Sequence, residues 1–339
     1  MLIEGIIFME NILKRINTSN DYRKVLIIGD SIIDKYVFCT TRRMAMEASI
    51  PIFLPNSCVL ELGGAANVLK MAKSLNGNVQ ICTIVGDDED GEWLKGEFSL
   101  LDSDIGFVFT DSDRRTTKKI RYVNDKSEYQ FRVDIEDVSD ISKCIEDKVY
   151  SHIEAHINRF NMLVISDYAK GMITESFSKR LIELFNKFGK IVLIDPKSNN
   201  ILKYKDSFLV KSNFKEFKDF LNYDDLDFDY IEDDIIVKYA TELMKKANIK
   251  NFYITLGNRG GIFISNDYNT YKITAKGKNI VDIIGAGDSV LAALSVSLTE
   301  RASIRECVEF SSYVAGACVE KFGSVAVTVD EVKKMMSTT

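Results

Sequence analysis

The sequence predicts an α/β fold: a doubly wound, mostly parallel sheet flanked by helices, with a small antiparallel β lid inserted into it. Three observations predict this. Short runs that are apolar on both faces alternate with helix-length stretches. Several of those runs end directly in polar signatures, where α/β sheets hold their ligands. Two stretches break the alternation, with β-like runs and no helix between them.

Taken in order, residues 1–20 carry apolar positions at helical spacing (Ile6, Ile7, Met9, Ile12, Leu13, Ile16) and predict an appended amphipathic helix. A single domain is expected over 21–335. Its first strand is 25–28, a Val-Leu-Ile-Ile run that ends in Gly29-Asp30. Further strands are expected at 79–84, 162–165, 191–194, 208–210 and 252–256. Helices are expected at 65–75, 173–188, 235–247 and 303–322, patterns free of proline and of the strand period. Strand ends carry Ser166-Asp167, Asp195-Pro196-Lys197, Lys211-Ser212-Asn213 and Thr255-Leu256-Gly257, which should converge on one crevice. The lid is expected from 36–61 and 107–134, and it is a candidate surface for pairing two copies of the chain. The acidic run from Asp219 to Asp234 alternates carboxylates with aromatics and reads as a solvated loop and helix start.

Composition narrows the classes. The chain has 339 residues, 46% of them hydrophobic and 28% charged, enough for a large core. A net charge of -6 gives no pull toward nucleic acid or an anionic membrane. The six cysteines have irregular spacings and no C-x-x-C pair, so they read as reduced thiols. No apolar run spans a bilayer, and the first residues lack a signal-peptide pattern, so a cytoplasmic location is expected. His152 and His156 are the two histidines, set four apart on a probable helix. They lack the H-E-x-x-H order and a third partner, so a solvated helix face is expected rather than zinc or a Ser-His-Asp triad.

The chemistry centres on the stretch 281–289. An apolar run turns through Gly285-Ala286-Gly287, meets Asp288 and continues as a helix from Val290. Such a turn aims unpaired N–H groups and a positive dipole end at one point, an anion site. A carboxylate there would repel phosphate, but it suits a base that takes a proton from an attacking hydroxyl. From the turn alone, an N-cap Asp on a core helix explains it equally well. The G-x-x-x-x-G-K-[ST] and G-x-G-x-x-G patterns are absent.

Together the motifs resemble those of the ribokinase-like (PfkB-type) carbohydrate kinases, over roughly residues 22–332. The resemblance is carried by Gly285-Ala286-Gly287-Asp288, by Gly63-Gly64-Ala65-Ala66-Asn67 and by Asn213-Phe214-Lys215-Glu216. Within that family the pattern is most similar to the heptose 7-phosphate kinases, the kinase half of a bifunctional ADP-heptose synthesis enzyme. The residues are Gly29-Asp30-x-x-x-Asp34-x-Tyr36, Glu47 with Pro51, Arg132-x-Asp134, Ser166-Asp167-Tyr168-Ala169-Lys170-Gly171 and Ile194-Asp195-Pro196-Lys197. The adenylyltransferase half is expected to be absent, because the chain stops at Thr339 and its histidines cannot form H-x-G-H.

The resemblance implies a magnesium-dependent transfer of phosphoryl from ATP to a sugar or sugar-phosphate hydroxyl, heptose 7-phosphate at C1 being the best single acceptor. Asp288 would be the general base, and the amides of Gly285, Ala286 and Gly287 the anion hole. Asn213 and Glu216 would orient Mg²⁺ through water; an N-cap with its capping-box partner is the plain alternative. Lys211, Thr255 and Gly257 would border the nucleotide. Asp34, Gly63, Gly64, Asn67 and Asp167 would contact the sugar, with Lys119, Arg121, Arg132 and Lys170 as partners for its phosphate or as surface ion pairs. The resemblance also implies a homodimer through the lid. The chain departs from the pattern at Ile284, where Thr is usual, at Ser212, where Pro is usual, at Asn258-Arg259-Gly260-Gly261 and around Glu47. Two alternatives stay open: another sugar or a nucleoside as acceptor, or a catalytically weak relative that binds sugar or nucleotide as a sensor.

Overall fold

The computed structural model describes residues 24–221, 232–299 and 302–338. The expected extension at 1–20 and most of the acidic run after Asp219 lie outside the described residues.

The chain opens with β1 (Val25–Gly29), β2 (Ser31–Met44) and β3 (Pro51–Gly64), followed by α1 (Ala65–Ser74), β4 (Val79–Gly86) and α2 (Glu89–Leu100). Strands β5 (Val108–Asp111), β6 (Lys118–Asn124) and β7 (Tyr129–Ile135) precede α3 (Lys143–Ala155). Alternation then resumes with β8 (Met162–Ser166), α4 (Glu175–Lys187), β9 (Ile191–Asp195), β10 (Leu209–Asn213), α5 (Phe214–Leu221), α6 (Asp233–Ala247) and β11 (Asn251–Thr255). The chain closes with β12 (Gly261–Ile264), β13 (Thr270–Ile273), α7 (Ala286–Thr299), α8 (Ile304–Val319) and α9 (Val329–Thr338).

Nine strands form the main sheet in the order β13-β12-β11-β10-β9-β8-β1-β4-β5. Strands β11 through β5 run parallel, and β12 and β13 form an antiparallel edge. The parallel strands are apolar on both faces because helices cover both. One face packs on α1, α7, α8 and α9, and the other on α3, α4, α5 and α6. From β1 the chain winds to β4 and β5 on one side, then returns to β8 and beyond on the other. The reversal point lies between β1 and β8, where a crevice opens beyond the strand ends. Asp30 and Asp167 follow those two strands directly, and the register Gly29↔Ser166↔Asp195 lines the three ends up.

The lid is a second sheet, in the order β3-β2-β6-β7. It is longer than the sequence suggested: β2 and β3 reach inward to Ser31 and Gly64, so Asp34 lies within the lid strand. Two of its pairings are antiparallel, but β2 and β6 run parallel. The stretch 107–134 divides. Val108–Asp111 leaves the lid and pairs in parallel with β4 at the edge of the main sheet. A four-residue run carries no signal for which sheet it joins. His152 and His156 also differ from expectation. Both are half-buried and pack edge-on against Phe107, with ring centroids 4.6 and 5.6 Å away, rather than facing solvent.

Candidate active site

The site is built where α7 starts. Gly285 takes φ +82°, a left-handed conformation that suits glycine, and a Cβ there would meet Ser324 Oγ at 2.6 Å. Its carbonyl accepts the Ser289 N–H at 2.9 Å and so begins the helix. The Ala286 amide is engaged by the Ile283 carbonyl at 3.2 Å. The amides of Gly285, Gly287 and Asp288 find no acceptor among the described residues. Three unsatisfied donors at a helix N-terminus form an anion cradle. The cradle therefore differs in membership from the sequence expectation: Asp288 joins it, and Ala286 does not.

Asp288 is 7% exposed and lines a polar pocket of about 200 Å³ beside that cradle. Both of its oxygens have donors. Asn67 Nδ2, on α1, donates to Oδ2 at 2.6 Å, and the Tyr168 hydroxyl donates to Oδ1 at 2.5 Å. Burial raises the Asp288 pKa; the bonds from Asn67 and Tyr168 and the Lys211 charge pull it down, and Asp34 pushes it up. The net shift is upward.

Lys211, on β10, supplies positive charge at the same point. Its Nζ pairs with both oxygens of Asp195 at 3.0 Å, and it lies 3.1 Å from where a Gly287 Cβ would be. Burial disfavours the ammonium, but Asp195, Glu216 and Asp288 outweigh it and hold Lys211 protonated. Burial in turn raises the Asp195 carboxyl, against the pull of Lys211.

Asn213 and Glu216 form a reciprocal capping box at the start of α5. The Asn213 N–H donates to Glu216 Oε2 and the Glu216 N–H to Asn213 Oδ1, each at 2.9 Å. Glu216 Oε1 also meets Lys197 Nζ at 3.2 Å. Both residues line the polar pocket, so the box and a water-mediated ion site are compatible. Mg²⁺ keeps most of its waters and takes one or two carboxylates plus phosphate oxygens. The single Glu216 carboxylate fits that requirement; among the described residues no group of three or more His, Cys, Asp or Glu forms a cage.

Next to the cradle opens a second cleft of about 630 Å³. Thr255, Gly257, Asn258, Ile280, Ile283 and Val319 line it, and Lys211, Asn213 and Gly287 join it to the polar pocket. A mostly apolar slot ending at an anion cradle has the dimensions and chemistry of a nucleotide site. Gly257 has φ +60° and open space about it, so the chain there can approach a ligand closely.

On the lid side, Asp34 is 7% exposed and accepts from Arg121 Nη1 at 2.5 Å. Gly63 is needed beside it, since a Cβ would lie 2.6 Å from Asp34 Oδ2. At Gly64, φ is +58° and a Cβ would strike the Asp30 carbonyl. The other expected cations have protein partners. Lys119 meets Asp134 and Glu136 at 3.2 and 3.5 Å, Lys170 meets Glu136 at 2.8 Å, and Arg132 forks onto Asp134 at 2.7 and 2.9 Å. Asp167 is buried and held by Lys203 and the Tyr204 hydroxyl at 2.6 and 2.7 Å. A third pocket of about 270 Å³ lies between Arg121, Tyr129, Arg132 and Ile284. Ile284 thus faces the lid, whereas Ile283 faces the nucleotide-shaped cleft.

Three residues of the site escaped the sequence reading. Tyr168, Asp195 and Asp30 stood inside recognisable motifs but had no role. Their signal was available: each lies at or just past the end of a parallel strand beside the reversal point.

Comparison with known proteins identifies the family and the fold. The model of the pfkB family carbohydrate kinases matches residues 23–330. The chain is 32% identical over 316 residues to the bifunctional protein HldE of Helicobacter hepaticus, covering 93% of this chain and 64% of that protein. It therefore spans less than two thirds of that relative's length. In fold it is similar to phosphofructokinase-2 from Escherichia coli in complex with potassium, with a TM-score of 0.75, 19% identity, and 94% and 99% of the two chains covered. It is also similar to Arabidopsis thaliana ribokinase complexed with ribose and ATP, with a TM-score of 0.70, 16% identity, and coverage of 93% and 98%. No helix among the described residues is long and apolar enough to cross a membrane. The fold is ribokinase-like, and the chain belongs to the pfkB family of carbohydrate kinases.

Proposed function

We propose that this carbohydrate kinase transfers the terminal phosphoryl group of ATP to a hydroxyl of a sugar phosphate, with D-glycero-D-manno-heptose 7-phosphate at C1 as the acceptor. One observation carries the reading: a buried carboxylate, Asp288, stands at the mouth of a cradle of three unpaired amides next to the Lys211 ammonium.

The acceptor lies between the lid and the turn, with Asp34 accepting from its hydroxyls and Gly63 and Gly64 allowing close approach. Asp288 takes the proton of the attacking hydroxyl as the new O–P bond forms and the bond to the ADP oxygen breaks. Lys211 and the amides of Gly285, Gly287 and Asp288 face the charge on the transferred group; each such donor is typically worth ~10²–10³ in rate. Asn213 and Glu216 would hold Mg²⁺ through water, and that ion supplies charge neutralisation between the phosphates. The base works only when ionised. Because burial raises Asp288 above the ordinary aspartate value of 3.8, activity is present above that raised pKa and is lost as pH falls through it.

A phosphorylated acceptor is preferred because the lid pocket holds two guanidinium groups, Arg121 and Arg132, which would share a phosphate with their present partners Asp34 and Asp134. The sensor alternative rested on the loss of a hydroxyl at Ile284. Ile284 lines the lid pocket, so the reading with turnover is preferred over the sensor. Pairing of two copies through the lid fits the exposed apolar side chains Leu54, Val59, Phe131 and Val133 on that sheet.

The test is an ATP-consumption assay over a panel of sugars, sugar phosphates and nucleosides, with product position read by ³¹P NMR. The reading expects heptose 7-phosphate to give the highest kcat/KM and a C1 phosphate. A nucleoside or an unphosphorylated sugar ranking first would overturn the acceptor assignment.

A further inference from the structure

We infer that Tyr168 is a positioning residue for the base, its hydroxyl fixing the plane of the Asp288 carboxylate. The inference rests on the reading of Asp288 as general base.

The loop that carries Tyr168 is anchored from several sides. Asp30 accepts the amides of Tyr168, Lys170 and Met172 at 3.0, 3.2 and 3.2 Å. Asp167 Oδ1 accepts the Ala169 amide at 2.8 Å and holds Ala169 at φ +53°, unusual for a residue with a Cβ. Gly171 has φ +89°, and a Cβ there would lie 1.9 Å from the Ser139 carbonyl oxygen. This anchoring is costly. Asp30 and Asp167 are both buried, and burial together with Asp167 pushes the Asp30 carboxyl upward. Strain and buried charge gathered under one short loop call for a reason beyond packing. The loop reaches the base directly through the 2.5 Å bond from the Tyr168 hydroxyl to Asp288 Oδ1.

That bond has a chemical consequence. Tyr168 and Asn67 donate to different oxygens, so the plane of the carboxylate is set from two sides. Each oxygen keeps a lone pair to accept the sugar proton. A donor to the charged form lowers its pKa, which opposes burial and the repulsion from Asp34. Tyr168 is not itself the base: burial and the neighbouring Asp288 hold its phenol protonated. Through turnover the sugar proton goes to Asp288 and the phenolic proton stays on Tyr168. The other charged or titratable groups facing Asp288 are Lys211 on β10, Asp195 on β9, Asp34 on β2 and Cys318 on α8.

The experiment is the pH profile of kcat/KM for wild type, Tyr168→Phe and Asp288→Asn, with thermal melting as the folding check. Titration of the substrates is common to all three. Losing a hydrogen bond to a charged group should move the acid limb of Tyr168→Phe up by about one to two pH units. Its rate should recover toward wild type at high pH, with the KM for ATP unchanged. A second variant keeps the shape of the residue: 3-fluorotyrosine at 168, a stronger donor, should move the limb down. An unmoved limb in a folded Tyr168→Phe protein, or a uniform loss at every pH, would overturn the inference while leaving Asp288 as base. Turnover retained by Asp288→Asn would remove the base itself and the inference with it.

Discussion

The two walls of the cleft are built on different plans. On the floor, the charged groups are buried and held by hydrogen bonds: Asp288 by the neutral donors Asn67 and Tyr168, and Lys211 by Asp195. On the lid, Arg132 is 53% exposed at its side chain, and Phe131 and Val133 show apolar surface. The floor is preorganised, as stabilisation of a developing charge requires. The lid combines a nearly buried pair, Asp34 with Arg121, and an outer charge, Arg132 on Asp134, that is half-exposed, so its outer part is the part that can adapt to a substrate. Several contacts join the walls, and one of them reaches the cradle. Asp282 accepts the Tyr129 hydroxyl of the lid at 2.8 Å and, beside the cradle, the amides of Ile284 and Gly323 at 3.0 Å.

The contrast predicts unequal effects. Floor substitutions should reduce kcat, and lid substitutions should raise the acceptor KM. The largest effect is expected for Lys211→Met, which removes a donor from the cradle and leaves Asp195 unpaired. Breaking a buried pair costs about 3–5 kcal/mol, and losing one such donor costs ~10²–10³ in kcat. The double variant Lys211→Met/Asp195→Asn should regain most of the thermal stability and none of the rate. Recovery of both would mean that Lys211 serves the fold alone.

Asp34→Asn comes next. It weakens a charged contact with the sugar and with Arg121, and should raise the acceptor KM by ~10–100-fold with the ATP KM unchanged. A pure kcat effect would place Asp34 with the floor. The smallest effect is expected at the Asp282 contact between the walls. Tyr129→Phe removes one partly exposed hydrogen bond and should change kcat/KM by about tenfold or less. Steady-state kinetics at varied acceptor would show whether that loss sits in KM, as for the lid, or in kcat, as for the floor.

The same contrast explains what the sequence made legible. Floor residues come in contiguous motifs at strand ends, so Gly285 to Asp288, Asn213 with Glu216, and the strands ahead of them could be placed from the chain alone. The lid depends on pairing over long separations. Asp34 lies opposite Lys119 only because β2 and β6 run in parallel, which no local pattern announces. The start of β2 was obscured by Asp34 and Lys35, polar residues that interrupt its apolar run. Helix α2 was missed because Gly91 and Gly96 interrupt an acidic stretch of weak periodicity. Tyr168 was visible as a letter in a motif, but its role follows from contacts with Asp30 and Asp288, which lie more than a hundred positions away in either direction.

The central claim is that Asp288 takes the proton of the acceptor hydroxyl. The direct measurement is single-turnover phosphoryl transfer by Asp288→Asn with ATP and acceptor both saturating. The account predicts a loss of ~10²–10⁴-fold, the range general-base catalysis supplies, with substrate binding nearly unchanged. Transfer within tenfold of wild type would contradict it.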